Sequence, residues 1–154
     1  MKEKLSTLWA YISYQEEAIS GIYKKIAKLR PSNDDKLVNL AYQMHNIYSS
    51  YEDLFKEIAT NFENNIERSS GYHKNLLLRM KISIPGIRPG ILSEQSFIIL
   101  TELMSFRHVF RHAYSYNLSV DKVEALKNKI LTYRPALESD IAEFKAFLEK
   151  GFNG

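Results

Sequence analysis

Pro31 separates two long runs of apolar residues, and the spacing within those runs limits what the chain can become. Before the proline, apolar side chains fall at Leu5, Leu8, Ile12, Ile19, Ile22, Ile26 and Leu29, a three-four rhythm broken at Gln15. After it the rhythm resumes at Leu37, Leu40, Met44, Ile47, Tyr51, Leu54 and Ile58, continued by Phe62 and Ile66. That period lays one apolar stripe along a helix. A residue preceding proline is pushed out of the helical region, so the first helix ends before Pro31. Ser32 or Asn33 caps the second, with Asp34 and Asp35 where the helix dipole favours negative charge. Thirty-odd helical residues make a rod of roughly 50 Å. Two such rods joined by a short proline turn pack antiparallel.

The remaining chain follows the same pattern. Ser69-Ser70-Gly71 interrupts it, and a shorter helix carries Leu76, Leu77, Leu78 and Met80. The stretch SIPGIRPGI at 83–91 holds two prolines and two glycines, so it is expected to be an irregular loop. Ser93 caps a fourth helix with Glu94 in its first turn and Phe97, Leu100, Leu103, Met104 and Phe110 on its apolar face. Ser119, with Asp121 behind it, caps a fifth, whose stripe is Leu126, Ile130, Leu137, Ile141, Phe144 and Leu148. Pro135 is expected to kink that helix. No convincing strand, repeat or low-complexity segment is present. The fold class is therefore all-α, an antiparallel bundle of about five helices, and the 154 residues fit a single domain over 1–154.

Composition narrows the function classes. There is no cysteine, which excludes disulfides and thiolate metal sites. No apolar run approaches the roughly 18 residues of a membrane span. The start, MKEKLSTLWAY, lacks an apolar core of signal-peptide length, so a cytoplasmic location without membrane partners is expected. A net charge of +3 permits a polyanionic partner without demanding one.

The unusual chemistry lies at 105–116, SFRHVFRHAYSY, where two arginines, two histidines and two tyrosines crowd twelve positions. A helix turns about 100° per residue. His108 and His112 share a face, and Arg107 and Arg111 share the neighbouring one. Arg107 and His112 are five apart, about 140° around an ideal helix. They serve one site only if the helix is distorted or if two copies meet across a symmetry axis, which points to a homodimer. Arginine presents a planar fork that matches phosphate oxygens. Histidine gives and takes protons near neutral pH. Together they suit metal-independent RNA cleavage: the 2′-hydroxyl loses its proton and attacks the adjacent phosphorus, and the 5′-oxygen leaves with a proton. Arginine stabilises the charge on the pentacoordinate phosphorus. DNA lacks that internal nucleophile. The plain alternative is a helix end whose basic residues complement the negative pole of the dipole.

Arg107-His108-Val109-Phe110-Arg111-His112-Ala113-Tyr114 resembles the R-x-x-x-x-H-x-Y motif of the HEPN superfamily. More closely, the chain resembles the HepT-like ribonuclease toxins, the HEPN halves of HEPN–MNT toxin–antitoxin pairs. The resemblance spans roughly residues 35–130. It includes Tyr51-Glu52 in a long second helix, Tyr72-His73 with Leu76-Leu77 in a W-H-x-x-L-L-like segment with Tyr for Trp, and Arg88-Pro89 leading into Ser93-Glu94. It implies a helical homodimer whose motifs converge at the interface in a metal-independent site. Arg107 would hold the scissile phosphate, His112 would transfer protons, and His108 would orient or assist. The implied partner is a small MNT-type nucleotidyltransferase antitoxin that attaches AMP units to the motif tyrosine, here Tyr114. A phosphate chain beside the arginines would fill the site with the charge meant for RNA.

Other residues carry secondary expectations. Glu52 sits one position off the apolar stripe and is a candidate to pair with Arg107 or Arg111, or else a solvated carboxylate. His73 is a candidate for the site or for RNA binding, or else a capping residue. Arg79, Lys81 and Arg88 flank the Pro-Gly loop and would line an RNA path or form a solvated basic loop. Tyr11, Tyr14, Tyr48, Tyr51 and Tyr116 could stack with bases, but packing is commoner. His45, His73 and Glu52 lack the spacing of a helical metal site, so no metal and no cofactor are expected. A non-catalytic HEPN module that binds a nucleotide or docks on a nucleotidyltransferase is the rival reading, and a plain helical interaction protein is a third.

Overall fold

In a computed structural model of the chain, residues 1–63, 71–113 and 118–154 are described, except for the side chains at 109 and 111–113. Five helices follow in order: α1 (Lys2–Lys28), α2 (Asp34–Phe62), α3 (Tyr72–Lys81), α4 (Glu94–Ala113) and α5 (Val120–Asn153). The described residues form no strand beyond one isolated bridge, Ile84 with Arg88.

The expected caps are in place. Asn33 Oδ1 accepts from Lys36 N at 2.9 Å at the start of α2, and Ser119 Oγ accepts from Lys122 N at 3.3 Å at the start of α5. At the end of α1, Leu29 is extended, and its carbonyl accepts from Lys127 Nζ at 2.7 Å. That bond satisfies one of the carbonyls a helix end leaves open. Gly71 precedes α3 at φ +86°, a left-handed conformation that costs glycine nothing. The helix α5 continues through Pro135 to Asn153. Ile66 and Tyr116 lie outside the described residues.

Four long helices form an up-down-up-down bundle, α1–α2–α4–α5 in circular order, with α3 packed on α2 and α4. Ties between neighbours run in opposite sequence directions. Tyr23 reaches Tyr51 between α1 and α2, while nearer the start of α1 Leu8 and Tyr11 share a cavity with Glu57 and Asn61. Trp9 reaches Glu149 and Lys145 reaches Glu16 between α1 and α5. Lys129 reaches Glu102 and Ser93 reaches Asp140 between α4 and α5. The apolar stripes meet in one core centred on α2, with Leu40, Met44, Ile47, Leu54 and Phe55 fully buried there. Gln15, the break in the first stripe, donates to the Ser50 carbonyl at 3.0 Å, so its polar group is satisfied where it meets α2. Tyr48 and Tyr51 are core residues at 1% exposure, whereas Tyr14 is 71% exposed.

The segment after α3 is more ordered than its prolines and glycines imply. Ile84 and Arg88 exchange backbone hydrogen bonds at 2.8 and 3.0 Å around a tight turn, with Gly86 at φ +77°. Ile91 N and Leu92 N both donate to the Met80 carbonyl, at 2.7 and 3.0 Å. A side chain at Gly90 would place its Cβ 2.6 Å from the Lys81 carbonyl oxygen. Arg88 holds this fold together. It is 3% exposed, its guanidinium pairs with Glu63, and it donates to the carbonyls of Arg79, Ile82 and Pro89. The expectation that Arg88 lines an RNA path is therefore corrected. Its NH1 and NH2 donors are spent inside the protein, where a buried guanidinium needs them, and its Nε is buried as well.

Candidate functional site

The candidate site forms where α2, α3 and the second half of α4 meet, with one charged or titratable side chain from each helix. From α2, Glu52 points inward at 5% exposure. From the first turn of α3 comes His73, whose Nδ1 bonds Glu52 Oε2. From α4 comes Arg107, whose NH1 lies 3.2 Å from His73 Nε2. The other oxygen of Glu52 takes Lys56 Nζ at 3.3 Å, one helical turn along. Lys56 also lies over the Tyr72 ring, 5.4 Å from its centroid, and that ring meets His73 edge-on at 5.5 Å. Phe106 and Phe110 stack on one another along α4, and Phe110 packs against His45.

Charge is distributed unevenly in this cluster. Burial pushes the Glu52 carboxyl up, but the hydrogen bond of His73, together with Lys56, outweighs it and holds the group below the ordinary carboxylate range. Glu52 and Lys56 therefore cancel. Arg107 makes no contact with a carboxylate among the described residues, and its Nε is buried without a partner. The positive charge of the cluster is thus left on Arg107. The hydroxyl of Tyr48 is buried without a hydrogen bond. Burial first, and then the Glu52 charge, hold its phenol protonated far above the ordinary tyrosine range, against the opposing pull of Arg107.

Sequence reasoning named most of these residues but not their connections. Glu52 does not pair with Arg107 directly; it reaches the guanidinium through the His73 ring. His73 joins Glu52 to Arg107, and α3 starts from Gly71 with no side-chain cap bond. Arg79 remains partly exposed and bonds Glu63 at 3.2 Å, on the side of α3 that serves Arg88. His108 is exposed on α4. The side chains of Arg111 and His112, and Tyr114 entirely, lie outside the described residues. Lys56, Tyr48 and Tyr72 were missed as neighbours. The i, i+4 spacing of Glu52 and Lys56 was a readable signal for one of them; Glu63 carried none. Among the described residues no three His, Asp or Glu side chains gather to hold a metal ion, and no helix is long and apolar enough to cross a membrane.

The family model for HepT-like proteins matches residues 39–148, from the second turn of α2 nearly to the end of α5. The chain belongs to the HepT-like family. No curated protein matches the chain, and no solved structure does. Membership in the HepT-like family fits a HEPN-type toxin or a nucleotide-binding module. The matched span contains α3, α4 and most of α2, and so every residue of the Glu52–His73–Arg107 cluster.

Proposed function

We propose that this HepT-like protein is a metal-independent endoribonuclease toxin that acts as a homodimer. The observation that carries the reading is an arginine of an R-x-x-x-x-H-x-Y motif, held in place by a histidine and paired with no carboxylate among the described residues. An arginine paired to a carboxylate would have little charge left for phosphate; Arg107 keeps its own. Arg107 binds the scissile phosphate. His112 transfers the proton as the 2′-hydroxyl attacks and the 5′-oxygen departs. His108 and Arg111 assist on the same helix. On an ideal helix Arg107 and His112 diverge by about 140°, so a dimer supplies the convergence. A partner MNT-type nucleotidyltransferase silences the site by adding AMP to Tyr114, which puts phosphate beside the arginines.

The test is expression of wild type, Arg107→Ala and His112→Ala in bacteria without a partner, followed by assay of the purified proteins on RNA in EDTA. The wild type should arrest growth and cut RNA. Each variant should lose about a hundredfold or more, the usual scale for losing a transition-state donor or a proton-transfer group. Mixing the two inactive variants should restore part of the activity, since one of the two sites in a mixed dimer is intact. RNA left whole by the wild type would refute the ribonuclease and favour the nucleotide-binding module.

A further inference from the structure

His73 stands between a carboxylate and a guanidinium, and the donors of those two neighbours fix where its proton lies. An arginine side chain donates and cannot accept. His73 Nε2, 3.2 Å from Arg107 NH1, must therefore present its lone pair. On the other side, Glu52 Oε2 faces Nδ1, and a carboxylate accepts. Only one state of the ring satisfies both contacts: neutral, with the hydrogen on Nδ1. The free ring in water favours the opposite tautomer, so the setting imposes this one. Lys56 and burial keep Glu52 in place to impose it.

We propose that His73 is a positioning residue for RNA cleavage, aiming Arg107 through the Nε2 lone pair of the tautomer that Glu52 enforces. The proposal rests on the reading of Arg107 as the phosphate-binding group. The bond to His73 is the one hydrogen bond that the guanidinium makes among the described residues, and its Nε has none. Without His73 the side chain is free to choose other rotamers. A direct bond from Glu52 would also orient Arg107, but it would cancel the charge that phosphate needs. A neutral ring between them passes on the orientation and leaves the charge.

Two conservative variants separate positioning from a purely structural role. In His73→Asn the amide nitrogen stands near the Nδ1 position and can serve Glu52, but the side chain is too short to reach Arg107. In His73→Gln the amide oxygen reaches the Nε2 position and can accept from Arg107, while Glu52 is left to Lys56. Cleavage of a defined RNA should fall about tenfold to a hundredfold in the Asn variant, as misaimed catalytic groups do. The Gln variant should cut faster than the Asn variant although it melts at a lower temperature. A structural role predicts the reverse, with activity following stability, and that order would overturn the proposal.

A second readout does not depend on cleavage. In ¹⁵N spectra of labelled histidine near pH 8, the His73 ring should carry its hydrogen on Nδ1, and it should keep it there in Arg107→Ala, where Glu52 still accepts from Nδ1. A hydrogen on Nε2 in a wild type that cuts RNA would sink the positioning role and leave the ribonuclease standing. A hydrogen on Nδ1 in a wild type that leaves RNA whole would sink the ribonuclease reading, and with it any part for His73 in cleavage.

Discussion

Replacing Arg88 by methionine separates a structural arginine from an RNA-binding one. Methionine nearly matches the length of the arginine stem, so the cavity left behind is small and the loss is mainly polar. The variant leaves Glu63, whose side chain is 13% exposed, without its buried partner. It also strips a donor from the carbonyls of Arg79, Ile82 and Pro89. Removing one member of a buried ion pair costs about 3–5 kcal/mol. Glu63 retains Arg79 at 3.2 Å, which argues for the lower end, about 3 kcal/mol. In a domain of this size each kcal/mol shifts the melting temperature by about 2–4 °C. Arg88→Met should therefore melt about 6–12 °C below the wild type in a helix-monitored thermal scan. At a temperature where both are folded, it should bind RNA as the wild type does. A drop under about 2 °C, or unchanged melting with weakened RNA binding, would refute the assignment of Arg88 to the fold.

Glu52 gives a pH signature. Its carboxyl is held below the ordinary value of 4.5 by His73 and Lys56 despite burial. The stability it contributes is fully present above that value and disappears as pH falls through the lower folded one. Glu52→Gln should thus be less stable than wild type by about 1–3 kcal/mol at neutral pH, with the gap closing in denaturant titrations below pH 4.5. A gap independent of pH would contradict the assignment. Gly90→Ala should lower the urea midpoint by an amount equivalent to about 1–3 kcal/mol, because the new Cβ would sit 2.6 Å from the backbone oxygen of Lys81. An unchanged midpoint would mean that the segment yields easily.

The helices were legible because their determinants are local. The three-four stripes, the caps at Asn33 and Ser119 and the stop before Pro31 each depend on residues within a turn or two. What the sequence hid is what depends on distance. His73 lies 21 residues from Glu52 and 34 from Arg107, and only the packing of α3 against α2 and α4 makes them neighbours. Arg88 in a Pro-Gly stretch reads as a solvated cation, since the carboxylate that draws it inward belongs to Glu63, 25 residues earlier. The motif itself marked which side chains are candidates for the chemistry. It did not show that Glu52 would act through an imidazole, because a carboxylate one position off an apolar stripe can turn inward or outward with equal ease.

Asp140 ties down the far end of the helix that bears the motif. Its carboxylate on α5 accepts from both the backbone N–H and the hydroxyl of Ser93, each at 2.9 Å, so α4 starts from a fixed point. From there to Arg107 the chain is an uninterrupted spiral, and the compass bearing of the guanidinium is set by a count of residues. Point changes along that stretch keep the count. Adding or deleting one residue would swing Arg107 by about 100°, away from His73, while leaving the helix itself as long and nearly as stable as before. Homologous chains that share this chemistry should therefore vary in letters between the anchor and the arginine, and hardly at all in number.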